Sequence, residues 1–255
     1  MSVLGPAARA FNTIAPVFDA RFGEWQSVAA QRYVVRRTLL EAFPAGSTLL
    51  ELGGGTGEDA AWLAARGFKI CLTDAAPAMV ERAHAKLSAL GSRAEAVSAE
   101  NLEAFATRHR SEGGMPFDGA FSNFAGLNCV EDLEPVARGL ARLVRPGGAA
   151  ILVLFGTCCP GEILVESLRG RPRQAFRRFK AGPAPARLGG ERFTVTYHRA
   201  SAIVRAMRPW FELTQKLGVG IFVPPSAAEP WISRHPALSA SAPAMRAQHR
   251  QPCRQ

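Results

Sequence analysis

The stretch "LLELGGGTGEDAAWLA", residues 49–64, puts four glycines into the five positions 53–57, between an apolar run and an amphipathic one. A glycine-rich turn that leaves a buried strand and opens a helix lets a ligand approach the main chain, and the first turn of the helix offers unpaired N–H groups. Two cofactor classes use such a turn, and spacing decides between them. The dinucleotide fingerprint G-x-G-x-x-G/A, counted from Gly53 through Gly55, puts Glu58 in its third slot, where a carboxylate would meet a pyrophosphate. A nicotinamide-binding oxidoreductase is disfavoured on that ground.

The segments around the turn alternate. "STLLEL", "FKICLTD", "AEAVSA", "FDGAFSNF" and "AAILVLFG" read as five strands. Between them "GEDAAWLAARG", "APAMVERAHAKLSALG" and "EDLEPVARGLARLVRPGG" read as helices with Gly or Pro-Gly-Gly exits. Strand, helix, strand at this rhythm predicts a parallel sheet covered on both faces, with ligands bound beyond the C-terminal strand ends. "WFELTQK" and "GVGIFV" are the remaining strand-like pieces: either they close the sheet as a final hairpin, or the last strand is missing.

Length and hydropathy fit one α/β domain with additions: 255 residues, 47% hydrophobic. The longest apolar stretch, "GGAAILVLFGTCC", is too short and too Gly-rich to span a bilayer, and a cytoplasmic location is expected. Five cysteines at no metal-ligand spacing read as reduced thiols. The net charge of +10 is concentrated after residue 150, where 16 Lys/Arg face 5 Asp/Glu out of totals of 31 and 21. Much of it lies in "RGRPRQAFRRFK", Arg169 to Lys180, which reads as a solvated face or as a contact for an anionic partner.

The spacing E-x-G-x-G-x-G, with Glu51, Gly53, Gly55 and Gly57, resembles motif I of the class I S-adenosylmethionine (SAM) dependent methyltransferases. The resemblance extends over most of residues 11–155 and implies an α/β, Rossmann-like, doubly wound fold. Its mostly parallel sheet would have seven strands, with a basic helical or loop insertion after the fifth. The parts would be an N-terminal helical cap (1–40), a SAM-binding core (41–157), a basic insertion or lid (158–192), the C-terminal part of the core sheet (193–236) and a disordered tail (237–255). It also implies SAM as cofactor and S-adenosylhomocysteine as product.

Carried over position by position, the resemblance sets Glu51 near the ammonium group of the cofactor, Gly53, Gly54, Gly55 and Gly57 against its methionine end, and Asp74 with Ala75 at the ribose hydroxyls. "NTIAPVFDARF" is similar to the family's N-terminal helix, with Phe18 as a cover beside Asp19. "DAAPAMVERA" puts Met79 against adenine. "AVSAENLEAF" puts Ser98, in place of the usual acidic residue, at the adenine amino group, with Ala99 and Glu100 adjoining. "FDGAFSNFAGLN" places Asn123 and Phe124 at the mouth where transfer occurs and Asn128 toward the acceptor.

Methyl displacement asks little of a protein: an in-line nucleophile, and a base only where a proton must leave. No D/N-P-P-Y/F/W run follows the fourth strand, and no Asp…Asp-Asn set suits a magnesium-held catecholate. The expected reaction is a metal-free transfer to a small organic acceptor, with Tyr197 and His198 as catalytic candidates because they follow the basic insertion and His titrates near neutrality. Transfer to RNA or to a membrane-associated lipid or quinone-like acceptor, and SAM binding without catalysis, are the alternatives. No duplex nucleic acid is expected as a partner; weak anionic-surface contact through Arg169–Lys180 is the macromolecular contact the charge pattern offers.

Overall fold

The computed structural model describes residues 4–23, 25–124, 126–180 and 182–219. Its N-terminal segment is three helices, α1 (Pro6–Ile14), α2 (Phe18–Phe22) and α3 (Gln26–Ala42). An alternating unit follows: β1 (Thr48–Leu52), α4 (Glu58–Ala64), β2 (Lys69–Asp74), α5 (Pro77–Leu87), β3 (Arg93–Ala96), α6 (Leu102–Ser111), β4 (Phe117–Ser122), α7 (Glu134–Leu143) and β5 (Val144–Leu152). All five strands pair in parallel, in the order β3-β2-β1-β4-β5. The order reverses between β1 and β4, which creates the crevice where ligands of open α/β sheets bind.

Period-two alternation assigns β1 to two cores. Leu49 joins Leu39, Leu63, Leu72 and Leu87 under α3, α4 and α5, while Leu50 and Leu52 join Leu102, Val136 and Leu140 under α6 and α7. In β4, Phe117 belongs to the second core and Phe121 to the first, because the register to β5 shifts between Phe117 and Gly119 and the side chains change face there. Gly139 lets α7 settle on α6: a Cβ there would stand 2.3 Å from that of Leu102.

Among the described residues the parallel sheet has five of the seven strands expected. Two further strands, β6 (Gly182–Leu188) and β7 (Glu191–Tyr197), form a separate antiparallel hairpin. Its corner is Gly189–Gly190, both at positive φ, as a tight two-residue turn requires. The hairpin packs on α1, with Phe11 and Phe193 rings 6.0 Å apart. After it, α10 (Ala200–Met207) lies against α7 through Ile203 and Met207. The segment from residue 193 therefore adds no strand to the core sheet among the described residues. "WFELTQK" begins in a turn and continues without strand structure, most of "GVGIFV" lies outside the described residues, and so does the tail from 237. Between β5 and β6 run α8 (Pro160–Leu168), α9 (Pro172–Ala175) and a 3-10 turn at Arg177–Lys180. No helix of the described residues is long and apolar enough to cross a membrane.

Candidate cofactor and acceptor site

The chain leaves β1 through the glycine turn at the switch point, with Gly53, Gly55 and Gly57 at φ of +61°, +56° and +78°. Their surroundings separate their jobs. A Cβ on Gly54 would stand 2.4 Å from Leu72 Cδ1 and 2.8 Å from Glu51 Cδ, and one on Gly57 would stand 3.0 Å from Ala83 Cβ, so these two permit packing. Gly53 lies against Gly126. Gly55 has nothing within 4 Å of its Cβ position and is the one glycine of the turn that faces open space.

Glu51 sits at the end of β1, 2% exposed, and its Oε2 has no hydrogen-bond partner. Burial pushes its carboxyl well above the usual range; the neighbouring Asp59 and Asp74 add to this, while Arg32 and Arg36 oppose it. A buried carboxyl oxygen left unpartnered at a strand end fits a ligand that brings a cation. Asp74, at the end of β2, accepts from Gly55 N–H at 2.9 Å through Oδ2 and from Ala76 N–H at 2.9 Å through Oδ1. Burial raises its carboxyl, against the lowering effect of these N–H groups. Asp74 thus ties the glycine turn to the start of α5, and its remaining lone pairs are available to a diol. The residues present fit the zwitterionic and ribose parts of SAM.

One consequence of the Glu51 burial is measurable in the ligand-free protein. The folded state keeps the Glu51 proton at pH values where the unfolded chain has released it, so stability falls as pH rises from the ordinary carboxylate range through the folded value. Glu51→Gln should flatten this decline in a calorimetric Tm series against pH, leaving the smaller Asp74 part. Superimposable profiles for the two proteins would contradict the assignment.

The N-terminal segment is pinned over the turn. Asp19 accepts from the Thr56 hydroxyl and from Lys86 Nζ, the latter at 2.9 Å. Although its burial works the other way, these bonds hold its carboxyl below the usual range. Asn12 Oδ1 accepts from Ala78 N–H at 2.8 Å, satisfying a free donor at the start of α5. Phe18 packs between Phe11 and Phe22. Met79, expected at adenine, is fully buried in the same cluster with Ile14, Ala15 and Ala76. It lies on α5, packed beneath the N-terminal cap, with no exposed surface. Ala75 is part of the loop that follows Asp74. Ser98 and Ala99 are half-buried and Glu100 is exposed, around a 3-10 turn that follows β3.

A network that sequence reasoning missed joins the cap, the glycine-turn helix and the β4 loop. Asp59 of α4 accepts from Arg36 Nε at 2.8 Å and Asn123 Nδ2 at 2.8 Å, and Arg32 Nε lies 3.1 Å away. Asn123 Oδ1 in turn accepts from Phe124 N–H at 2.8 Å. Phe124 is held at φ +49°, the one non-glycine residue at positive φ among the described residues, with the Arg32 guanidinium 4.8 Å from its ring centroid. Left-handed backbone at a phenylalanine marks a place where surrounding contacts overrule local preference, as functional sites do.

Asn128, expected toward the acceptor, forms a clasp between loops. Its Nδ2 donates to the carbonyls of Phe155 and Thr196, at 3.0 and 2.6 Å, and its Oδ1 accepts from Phe155 N–H at 2.8 Å. It is buried and joins the loop after β4 to β5's end and to the hairpin. Tyr197 is buried with Arg178 5.2 Å above its ring. His198 Nε2 donates to the Val130 carbonyl at 3.0 Å, and the residue lines a cavity of about 440 Å³ with Glu131, Asp132, Leu133, Arg205 and Pro209. No glycine-turn residue lines that cavity. Burial pushes the thiols of Cys71 and Cys129 up to about 12 and about 11, which makes them poor nucleophiles.

Residues 49–148 match the family model for a methyltransferase domain. The fold is similar to that of an S-adenosylmethionine dependent methyltransferase from Mesorhizobium loti, at 18% identity over 84% of this chain and 93% of that one, with a TM-score of 0.54. It is similar to DhpI solved as its complex with SAH, at 16% identity over 80% and 85% of the two chains and a TM-score of 0.53. It is also similar to the sugar N-methyltransferase KedS8 from Streptoalloteichus sp ATCC 53650, at 19% identity over 76% and 82% and a TM-score of 0.51. No curated protein matches the chain. Residues 49–148 thus carry a methyltransferase domain, on a fold shared with S-adenosylmethionine dependent methyltransferases, whose cofactor is SAM.

Proposed function

We propose that the protein transfers a methyl group from SAM to a small organic acceptor by in-line displacement. The observation that carries this reading is the pairing, at the switch point, of buried Glu51, whose Oε2 has no hydrogen-bond partner, with the open backbone at Gly55. When bound, SAM supplies a methyl group already made electrophilic by its sulfonium. The chain's own residues bind and orient. Glu51 and the turn Gly53–Gly57 take the methionine end, Asp74 takes the ribose, Ser98 with Ala99 and Glu100 take the adenine side, and Phe18 with its aromatic neighbours covers the site. Asn123 and Phe124 form the mouth. A small acceptor is also the class that the name of KedS8 carries.

Where the acceptor must lose a proton, we assign its removal to His198 through Nδ1, since Nε2–H is engaged with Val130. Tyr197, lying under Arg178, takes a positioning role. The test is S-adenosylhomocysteine formation across a panel of small amines, phenols and acids with the full chain. His198→Ala should cut turnover on a protic acceptor by about 10²–10⁴-fold with SAM affinity unchanged. Full activity of His198→Ala on such an acceptor removes the base role. SAM binding with no turnover across the panel would favour a SAM-binding protein without catalysis.

A further inference from the structure

Helix α8 is inside out. Glu162 and Glu166 are 2% and 3% exposed, whereas Leu164 and Leu168, set about 200° round the helix from them, are 62% and 80% exposed. The buried acids are matched from within the same segment. Glu162 pairs with Arg177 at 2.8 Å and with Arg178, and Glu166 pairs with Arg169 at 3.1 Å. Arg178 lies 5.2 Å from the ring centroids of both Phe155 and Tyr197, which fastens the segment to the end of β5 and to the hairpin.

With the acids of residues 160–180 turned inward, the outer surface holds two leucines, the half-exposed rings of Phe176 and Phe179 at 5.9 Å, and the exposed Arg171, Arg173 and Lys180. These three cations make no ion pair with any described residue. Residues 160–180 contribute no exposed carboxylate to this face.

We propose that the face of α8, α9 and the Arg177–Lys180 turn docks on an anionic lipid surface, its leucines and phenylalanines entering the headgroup boundary and its cations meeting lipid phosphates. Apolar side chains rimmed by Lys and Arg, with no exposed acid from the same segment, are the charge and polarity pattern such a surface selects. A second copy fits worse, because self-association would bring Arg171, Arg173 and Lys180 against like charges. Nucleic acid fits worse because the two leucines offer nothing to a phosphate backbone or a base edge. Residues 220–255 carry four arginines and one acid, so charge does not favour them as the cover.

The test is flotation of the full chain with vesicles of phosphatidylcholine alone and of phosphatidylcholine with phosphatidylglycerol. Binding to the anionic vesicles only is expected. Arg171→Gln with Arg173→Gln should lower partitioning about 30-fold. Leu164→Ser with Leu168→Ser should lower it at least about tenfold, with circular dichroism unchanged because both side chains are already in solvent. Equal binding to both vesicles, no binding, or full binding by the leucine variant overturns the proposal. A dimer in sedimentation that the leucine variant dissolves overturns it too, and assigns the face to a second copy. Tight RNA binding that competes with the vesicles assigns it to nucleic acid instead.

Discussion

Gly55→Val is expected to abolish binding of SAM and S-adenosylhomocysteine while far-UV circular dichroism stays close to that of the parent chain. The residue stands at φ +56° with nothing within 4 Å of its Cβ position. A side chain there meets no protein atom at that position and adds backbone strain of roughly 1–2 kcal/mol, which a domain of ordinary stability survives. What it fills is the space next to the main chain where the ligand must lie. Gly54→Val, one position away, is expected to behave in the opposite way. Its Cβ would strike Leu72 and Glu51 in the first core, so loss of structure should precede any question of binding. Gly55→Val that unfolds like Gly54→Val would show a packing glycine. Gly55→Val that binds normally would mean the ligand does not approach this backbone.

Asp74→Ala should weaken SAM by more than tenfold in a calorimetric titration. The lost bonds to the ribose are charge-assisted, each worth roughly 1.5–3 kcal/mol. The same change also frees Gly55 N–H and Ala76 N–H, the two donors that Asp74 now satisfies. Part of the weakening is therefore loss of order in the glycine turn, and a fall in Tm should accompany it. Unchanged affinity in a folded Asp74→Ala protein would retire the ribose assignment.

The core sheet was legible because its signals are local. β1, β2 and β4 are apolar runs, a glycine turn ends β1, and Gly67 and Gly91 at positive φ stand just past the helices they close. The β6–β7 hairpin escaped because Pro183 and Pro185 argue against a strand, yet β6 pairs with β7 alone and tolerates them. The placement of the glycine turn, Glu51 and Asp74 at the ends of β1 and β2 was legible from the strand pattern. What spacing could not show is where a side chain spends its polar atoms. Asn128 and Met79 occupy motif positions, but tertiary contacts from the hairpin and the N-terminal cap consume them. The Asp59, Arg32 and Arg36 cluster joins α3 to α4 through side chains 23 and 27 positions apart in sequence, so no local pattern marks it. Within the basic run Arg169–Lys180, charge count alone could not show that Arg169, Arg177 and Arg178 pair with the buried acids of α8 while Arg171, Arg173 and Lys180 stay exposed.

The central claim is that the crevice at the β1–β4 switch point is a SAM site. Calorimetric titration of the full chain with SAM, S-adenosylhomocysteine and NAD tests it most directly. Saturable binding of the first two, no heat from NAD, and loss of binding in Gly55→Val is the predicted result. Binding of NAD, or no binding of SAM and S-adenosylhomocysteine by the folded chain, would contradict it.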